Sequence, residues 1–399
     1  MQKRFVFDRM ELAGSLGDLG TLLPIAAAMV LINGLSPTGL FFSIGAFYIL
    51  AGMFFGVTVP VQPMKVIGAY AIATAMRPEQ IQASTLLMAA FLLIVSLTGT
   101  IEAIRRMTPK SVIRGVQLST GSILIAGGIK LMIGTTAFQV LQHAPEPYLV
   151  VQKLGWVPIG LVIGAAGGLV TLLLLENRKY PSGLVVVLGG MALGLALGTH
   201  AGFENISLGM YGPRWLPFGF PALPDFSFAL FTLVLPQLPM TLGNAVFAYT
   251  DLSRDYFGKD SARVTNRNAC LSMAAANCLS FAFGGMPLCH GAGGLAAHYR
   301  FGARTAGSNL MIGAIFVGLT IVLGSHIVTV IHLLPMAVLG ILLVFAGLQL
   351  AMTIMDLKDR RDTFVAMIIL GITLATNLAA GFLCGIAVAY LLKWEKLSV

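Results

Sequence analysis

Long apolar stretches joined by short polar connections run along almost the whole chain of 399 residues. Because a transmembrane helix needs about 20 mostly apolar residues, these stretches predict about fourteen membrane segments. Two of them, at residues 62–76 and 289–300, are short and are predicted to be half-helices. The predicted fold class is therefore an all-α integral membrane protein. The segments are placed at residues 11–33, 36–56, 62–76, 81–103, 109–132, 157–175, 182–199, 228–250, 264–283, 289–300, 306–328, 331–351, 362–379 and 381–394.

Composition and charge fit this interpretation. With 57% hydrophobic and 10% charged residues, the chain has too few charges to cover a surface in water, so the lipid bilayer is an expected partner. Cytoplasmic loops are enriched in Lys and Arg, and most of the 25 basic residues fall in alternate connections, including 105–114, 178–179 and 254–267. This pattern predicts a protein of the cell (inner) membrane with cytoplasmic N- and C-termini. It also accounts for the net charge of +9 without a nucleic-acid partner.

The two halves of the chain share a pattern that indicates inverted repeats of seven segments each. Proline-bearing interruptions at residues 59–65 and 286–291 occupy corresponding places in the two halves. An odd number of segments per repeat inserts the second repeat upside down, as in many secondary transporters. We predict a first repeat over residues 1–199, an extracytoplasmic connection over 200–227 and a second repeat over 228–399.

The two interruptions predict a binding site. Proline at membrane depth frees backbone groups that lipid cannot satisfy, so such breaks persist where they line a cavity or meet a ligand. We expect the two half-helices to meet at the midplane with facing N-termini, which carry partial positive charge and unpaired N–H donors. Gly291, Gly293 and Gly294 would let a ligand approach the backbone closely. A tetrahedral dianion with four acceptor oxygens matches such a site.

Polar and small side chains beside the breaks are the candidate binding residues. Each also has a structural interpretation: Lys65 can extend towards water or pair with Asp18, His290 and Cys289 can pack, and amides can join helices. Arg300 and Arg304 are interpreted as cytoplasmic anchors. Asp18 is the candidate for coupling to a second ion, and no metal or other cofactor is expected. The candidate binding residues are Gln62, Met64, Lys65, Gln237, Asn244, Cys289, His290 and Gly291.

Four motifs in order resemble the molybdate transporter family, a relative of the SulP sulfate permeases. They are GDLGTLLP at residues 17–24, VQPMK at 61–65, QLP at 237–239 with Asn244, and PLCHGAGGL at 287–295 followed by FGART at 301–305. The resemblance implies seven plus seven segments divided into a core domain and a gate domain that move in an elevator-like manner. SulP permeases usually carry a cytoplasmic STAS domain after the last segment, and we expect none here.

The resemblance implies a secondary active transporter of molybdate, with tungstate as an analogue. A sulfate permease and an anion channel are the alternatives. Related folds imply a homodimer. In nucleobase permeases and many SulP proteins, a glutamate on segment eight handles substrate or protons, whereas this chain presents neutral Asn244. A proton or cation co-substrate would then depend on Asp18 or His290, or on no protein group.

Two classes of membrane enzyme are not expected from this sequence. An intramembrane aspartyl protease needs two aspartates within membrane segments, and no second mid-segment partner for Asp18 is visible. A zinc metalloprotease needs His-Glu-x-x-His, which the sequence lacks. The sequence therefore predicts a protein that is not an enzyme.

Overall fold

The computed structural model describes residues 4–101, 103, 109–175, 177, 180–198 and 206–393. Part of the predicted cytoplasmic charge, including residues 105–106 and 178–179, lies outside these described residues. So does the predicted boundary between the first repeat and the extracytoplasmic connection, at residues 199–200.

In the described residues of the first half of the chain, the regular elements are helices and three very short strands. Its first two helices are the halves of one bent segment, with an angle of 47° at the break over residues 16–18. The third begins after Ser36, whose hydroxyl caps it, and ends before Gly56, which has a φ of 81°. The elements are α1 (Arg9–Ser15), α2 (Leu19–Leu31), α3 (Pro37–Phe55), β1 (Gln62–Pro63), α4 (Lys65–Thr74), α5 (Pro78–Thr98), α6 (Lys110–Ile133), α7 (Ala137–Leu141), β2 (Lys153–Leu154), β3 (Val157–Pro158), α8 (Ile159–Leu174) and α9 (Ser182–Ala196).

The second half opens with one continuous helical segment over residues 223–257, which starts within the predicted extracytoplasmic connection. Two π-helical stretches, Leu230–Val234 and Thr241–Ala248, lie within it, on either side of a helical turn that contains Pro236 and Pro239. Proline cannot donate the helical hydrogen bond, and wider turns absorb that loss. The elements are α10 (Leu223–Ala229), α11 (Leu235–Met240), α12 (Tyr249–Phe257), α13 (Asn266–Phe283), β4 (Leu288–Cys289), α14 (Ala292–Phe301), α15 (Ala306–Leu323), α16 (Ile327–His332), α17 (Met336–Ala351), α18 (Arg360–Ala375) and α19 (Leu378–Leu391).

The protein is an integral membrane protein. Within the described ranges, six helical segments are long and apolar enough to cross a membrane, or seven if the bent pair α1 and α2 forms one span. The half-helix α4 and the helices α8, α9 and α19 are shorter apolar helices of 10–17 residues. The predicted number of about fourteen segments depends on counting such shorter helices as well.

The helices pack into two groups. In the first helix group, α3 packs against α15 and α5 packs against α13, while α1 lies against α14 and α15. In the second helix group, α6 packs against α17, α18 and α19, and α8 lies between α17 and α9. Helices α2, α4 and α11 also belong to the first helix group and form its boundary with the second, because α2 contacts α9 and α17, and α4 and α11 contact α6.

Two pairs of glycines allow α6 and α17 to touch backbone to backbone. A Cβ added at Gly121 would lie 2.5 Å from the carbonyl oxygen of Gly347, and one at Gly347 would lie 2.5 Å from that of Gly121. Two turns further on, a Cβ added at Gly128 or Gly340 would likewise overlap the carbonyl oxygen of the other glycine. Small residues are typical of such close helix contacts in membranes. The order of the two pairs makes the helices antiparallel.

We expect Gly128→Ala to lower the thermal stability of the purified protein. The new methyl group would overlap the backbone of Gly340, and overpacking costs about 1–3 kcal/mol. Gly127→Ala is the matched control, because a Cβ there meets nothing within 4 Å. It should leave the melting temperature unchanged or raise it slightly, since alanine favours helix. Equal melting temperatures for the two variants would contradict this packing.

Candidate functional site

The two proline-bearing interruptions lie side by side in the structure. Strands β1 and β4 pair antiparallel, with Gln62 opposite Cys289 and Pro63 opposite Leu288. The N–H of Met64 donates to the carbonyl oxygen of Pro287 at 2.9 Å. Because α4 and α14 each begin within three residues of this pair, the N-termini of the two half-helices start from one shared structure.

Buried amides from neighbouring helices support both interruptions. Asn309 on α15 accepts from the N–H of Val59 at 2.8 Å and donates to its carbonyl oxygen at 2.7 Å. Asn277 on α13 forms the equivalent pair with Leu288, at 3.0 and 2.8 Å. Each side-chain amide therefore makes the two backbone hydrogen bonds that a neighbouring β-strand would make. Neither asparagine was among the binding residues predicted from the sequence.

His290 connects one interruption to the other. Its Nδ1 donates to the carbonyl oxygen of Pro60 at 2.9 Å, which leaves Nε2 to accept from the hydroxyl of Ser272 at 3.2 Å. The ring is fully buried, with centroids 5.0 Å from those of Phe47 and Tyr249. The structure thus gives His290 protein partners on both ring nitrogens and places it outside the cavity described below.

Gln237 caps the N-terminus of α4. Its Oε1 accepts from the backbone N–H groups of Val66 at 3.0 Å and Ile67 at 3.2 Å, and its Nε2 donates to Thr241 at 2.9 Å. These N–H groups are among those that a helix leaves unpaired at its start. Two donors that the sequence analysis assigned to a ligand are therefore already satisfied by the protein.

The N-terminus of α14 has no such cap. Among the described residues, no side chain accepts from its first turn, and the N–H of Leu295 donates to the carbonyl oxygen of Gly291 within the helix. Gly293 faces open space, because a Cβ added there would meet nothing within 4 Å. Of the two half-helix ends, this one is the more available to an anion.

A cavity of about 370 Å³ lies beside α14 and between the two helix groups. The first group contributes polar side chains and the glycines of α14, and the second group contributes mainly small, apolar and neutral polar side chains. The charged groups that line this cavity are two cations, Lys65 and Arg300, and one carboxylate, Asp18. Its lining includes Asp18, Thr21, Gln62, Lys65, Gly293 and Arg300 from the first group, and Thr171, Ser182, Leu342, Phe345, Ala346 and Gln349 from the second.

Asp18 is held by Gln62 rather than by an ion pair. The Nε2 of Gln62 donates to Oδ2 of Asp18 at 2.6 Å, and both residues are almost fully buried. Among the described residues, no ion pair joins Asp18 to Lys65. A Cβ added at Gly294 would lie 2.5 Å from Oδ2 of Asp18, so glycine is required where α14 passes this pair.

The structure divides the predicted site residues into two sets. Asp18, Gln62 and Lys65 line the cavity. The other predicted residues lie around the cavity and support the two short helices. Gln237 binds N–H groups of α4, His290 binds the carbonyl oxygen of Pro60, and the Sγ of Cys289 lies 3.5 Å from the carbonyl oxygen of Pro63. Also in this supporting set are buried Met64 and Gly291, and half-buried Asn244, whose amide lies beside Gly291.

Arg300, interpreted from the sequence as a cytoplasmic anchor, lines the cavity. It shares one face of α14 with Gly293, Ala296 and Ala297, because residues three, four and seven positions apart align on a helix. That spacing was readable in the sequence. Gln349 and Ser182 carry no such signal, since they come from distant segments of the second helix group.

Comparison with known sequences identifies the family. A family model described as "Molybdate transporter of MFS superfamily" matches residues 10–124 and 229–350. The chain belongs to the molybdate transporter family. Molybdate transporter 2 of Arabidopsis thaliana is 32% identical over 97% of this chain and 88% of its own. Molybdate transporter 1 of Chlamydomonas reinhardtii is 28% identical over 94% and 90%, respectively.

Solved structures show which fold this member of the family has. The transmembrane domain of a cyanobacterial bicarbonate transporter, BicA, matches with a TM-score of 0.68 at 15% identity, over 94% of this chain and 98% of that one. Murine solute carrier 26 family member A9, an anion transporter in an inward-facing state, matches with a TM-score of 0.69 at 16% identity, over 97% and 68%. The transporter therefore has the SLC26-like transmembrane fold.

We expect Gln237→Leu to destabilise the transporter. The substitution leaves two buried N–H groups of α4 without an acceptor, at a cost of about 1–3 kcal/mol each. Gln237→Glu is the matched control, because a carboxylate oxygen can still accept from both groups. The melting temperature of purified protein should fall more for the leucine variant. A smaller fall for leucine than for glutamate would argue against the cap.

Proposed function

We propose that this chain is a secondary active carrier of a tetrahedral oxyanion, with molybdate as substrate and tungstate as an analogue. One observation carries the proposal: the uncapped N-terminus of α14 opens into a cavity that also holds Lys65 and Arg300. Backbone N–H groups, an ammonium and a guanidinium together match an anion with four acceptor oxygens. The choice of molybdate rests on the named relatives, and a sulfate permease is the alternative.

The gate and core of this carrier would correspond to the two helix groups. The cavity lies between them, and α2 and α9 touch beside it through Gly20 and Gly183. Leu175 and Ser182 line the cavity next to a connection predicted to be cytoplasmic. We therefore infer an inward-open arrangement, with transport by an elevator-like movement of the first group against the second.

Inverted repeats of seven segments give the proposed architecture its symmetry. Antiparallel pairing of β1 with β4 and of α6 with α17 is what a two-fold axis in the membrane plane would produce. The side-chain amides that bind the two interruptions fit the same two-fold axis. Asn309 binds the first interruption from α15, and Gln82 on α5 donates to the carbonyl oxygen of Gly285 beside the second, at 2.6 Å.

The proposal also covers the coupling ion, the oligomeric state and the location of the protein in the cell. Asp18 is the group proposed to respond to a proton or cation co-substrate, since it is buried in the cavity wall and bonded to Gln62. A homodimer in the cell membrane, with both termini in the cytoplasm, is proposed from the related folds and from the distribution of basic residues.

Binding of molybdate to purified protein tests the site. Lys65→Ala and Arg300→Ala should each weaken it roughly 10- to 150-fold, as expected for a lost hydrogen bond to a charged group worth about 1.5–3 kcal/mol. Arg254→Ala removes an exposed cation of α12 outside the cavity and should have no such effect. Equal effects of all three variants would refute the site, whereas tighter binding of sulfate than of molybdate would favour the sulfate permease.

Transport through the boundary between helix groups can be tested separately from binding. A Cβ added at Gly183 would lie 2.5 Å from the Cα of Gly20, so Gly183→Val should obstruct the movement of α2 past α9. We expect uptake into proteoliposomes to fall at least roughly tenfold, equivalent to about 1.4 kcal/mol in a barrier, while molybdate binding persists. Gly189→Val, on the same helix with nothing within 4 Å, should transport normally.

Two results would contradict this mechanism. Normal uptake by Gly183→Val would mean that α2 and α9 do not move past each other. Conductance far above the rate of a carrier, with no saturation by substrate, would instead support an anion channel.

A further inference from the structure

A second cavity, of about 280 Å³, lies in the first helix group and shares no lining residue with the first. It is an open cleft bounded by Arg4, the end of α3, the 3₁₀ turn Gly258–Ser261 and the loop before α15, and Arg4, Lys259 and Arg263 are exposed there. At about 30 Å³ per water molecule, it has room for about nine waters. We call it the basic cavity, because Arg4, Lys259, Arg263 and Arg304 line it.

The positive charge of the basic cavity is largely uncompensated. Asp260 is the one carboxylate among its lining residues, against four cations. In the part of the chain that the structure describes, none of the four cations is in an ion pair. Like charges that line one cavity repel one another, so the arrangement favours binding of an anion.

A structural role accounts for part of this cluster. Arg4 donates to the carbonyl oxygen of Met53, and Arg263 donates to that of Phe54 at 3.1 Å, so both satisfy the end of α3. Each guanidinium has five N–H donors, and this contact uses one of them. The backbone carbonyl of Lys259 accepts from the N–H of Ala262, but among the described residues its side-chain ammonium has no hydrogen-bond acceptor, so capping of α3 does not explain its presence.

Arg304 is held in a fixed position at the cavity wall. Its guanidinium lies 3.5 Å from the ring centroid of Tyr299, and its Nη1 donates to the carbonyl oxygen of Ala303 at 2.9 Å. Its backbone N–H donates to the carboxylate of Glu11. A guanidinium fixed in this way loses little freedom when it binds an oxyanion, and its planar set of donors suits a phosphate group.

We propose that the basic cavity binds a phosphate group, supplied either by an anionic lipid headgroup or by a free phosphate ion. All four cations belong to the set that the sequence predicts to be cytoplasmic, and basic pockets on that side of a membrane bind anionic headgroups. The site also adjoins the first interruption. Val57 lines the cavity and pairs with Thr305, and the N–H of Thr58 donates to the carbonyl oxygen of Arg304 at 3.2 Å. A bound phosphate group thus stabilises the base of the segment that carries Gln62.

Thermal unfolding of the full-length protein in detergent tests this site, with dioctanoyl phosphatidic acid and inorganic phosphate as separate probes. We expect the wild-type melting temperature to rise with at least one probe. Lys259→Gln and Arg263→Gln should raise the concentration needed for half of that rise by roughly tenfold or more. Arg254→Gln, which removes an exposed cation of the same region outside the basic cavity, should respond as the wild type does.

The two probes distinguish the sources of the phosphate group. A rise with the lipid alone assigns a headgroup, and an equal rise with inorganic phosphate assigns a free anion. Arg263→Gln also loses its contact with Phe54 and can start from a lower melting temperature, so Lys259→Gln decides the outcome. No rise in the wild type, or an equal loss of response in Lys259→Gln and Arg254→Gln, would overturn the proposal. Loss of the response in Lys65→Ala would also overturn it, because the ligand would then occupy the other cavity.

Discussion

Every polar backbone group that a break exposes within the membrane must find a partner inside the protein, and this constraint organises the first helix group. Lipid offers no hydrogen bonds, and an unpaired buried group costs several kcal/mol. The interruptions pair with each other through β1 and β4, and Asn277 and Asn309 bind the backbone on their outer sides. His290 then joins the carbonyl oxygen of Pro60 to α13. The breaks that they support thus explain why Asn277, Asn309 and His290 are buried in these apolar helices.

This constraint also explains which features could be predicted from the sequence. Proline within an apolar run is a local signal, so the two interruptions and the half-helices after them were predictable, and with them Gln62 and Lys65. The partner of each freed backbone group is not local. Gln237 and His290 were expected to face a ligand, but they bind backbone groups of distant segments: Gln237 accepts from N–H groups of α4, and His290 donates to the carbonyl oxygen of Pro60. The sequence does not show whether a polar residue near a break binds a ligand or a freed backbone group of another segment.

Charge near the membrane surface raises a similar ambiguity. Arg300 satisfies the positive-inside pattern, and its place on the cavity face of α14 follows from its seven-residue distance to Gly293. Both descriptions are true, and the second depends on knowing which face of α14 meets the other helix group. The same limit applies to Gln349 and Ser182, because only tertiary packing brings α9 and α17 to this face.

The two short helices that follow the interruptions begin alike, but their first turns have different partners. Helices α4 and α14 both begin just after one strand pair, but Gln237 accepts from the first turn of α4, whereas no side chain in the described part of the chain accepts from that of α14. An anion between two equivalent helix ends would be attracted equally by both. Here the available donors lie on α14, and α4 contributes Lys65, a flexible cation beside the pair of Asp18 and Gln62. Gln62 lies in β1, just before α4. A change at Asp18 therefore acts directly on Gln62 and, through β1, on the start of α4. The asymmetry therefore puts uncapped N–H donors at the start of α14 and the hydrogen-bonded pair of Asp18 and Gln62 near the start of α4, within one cavity wall.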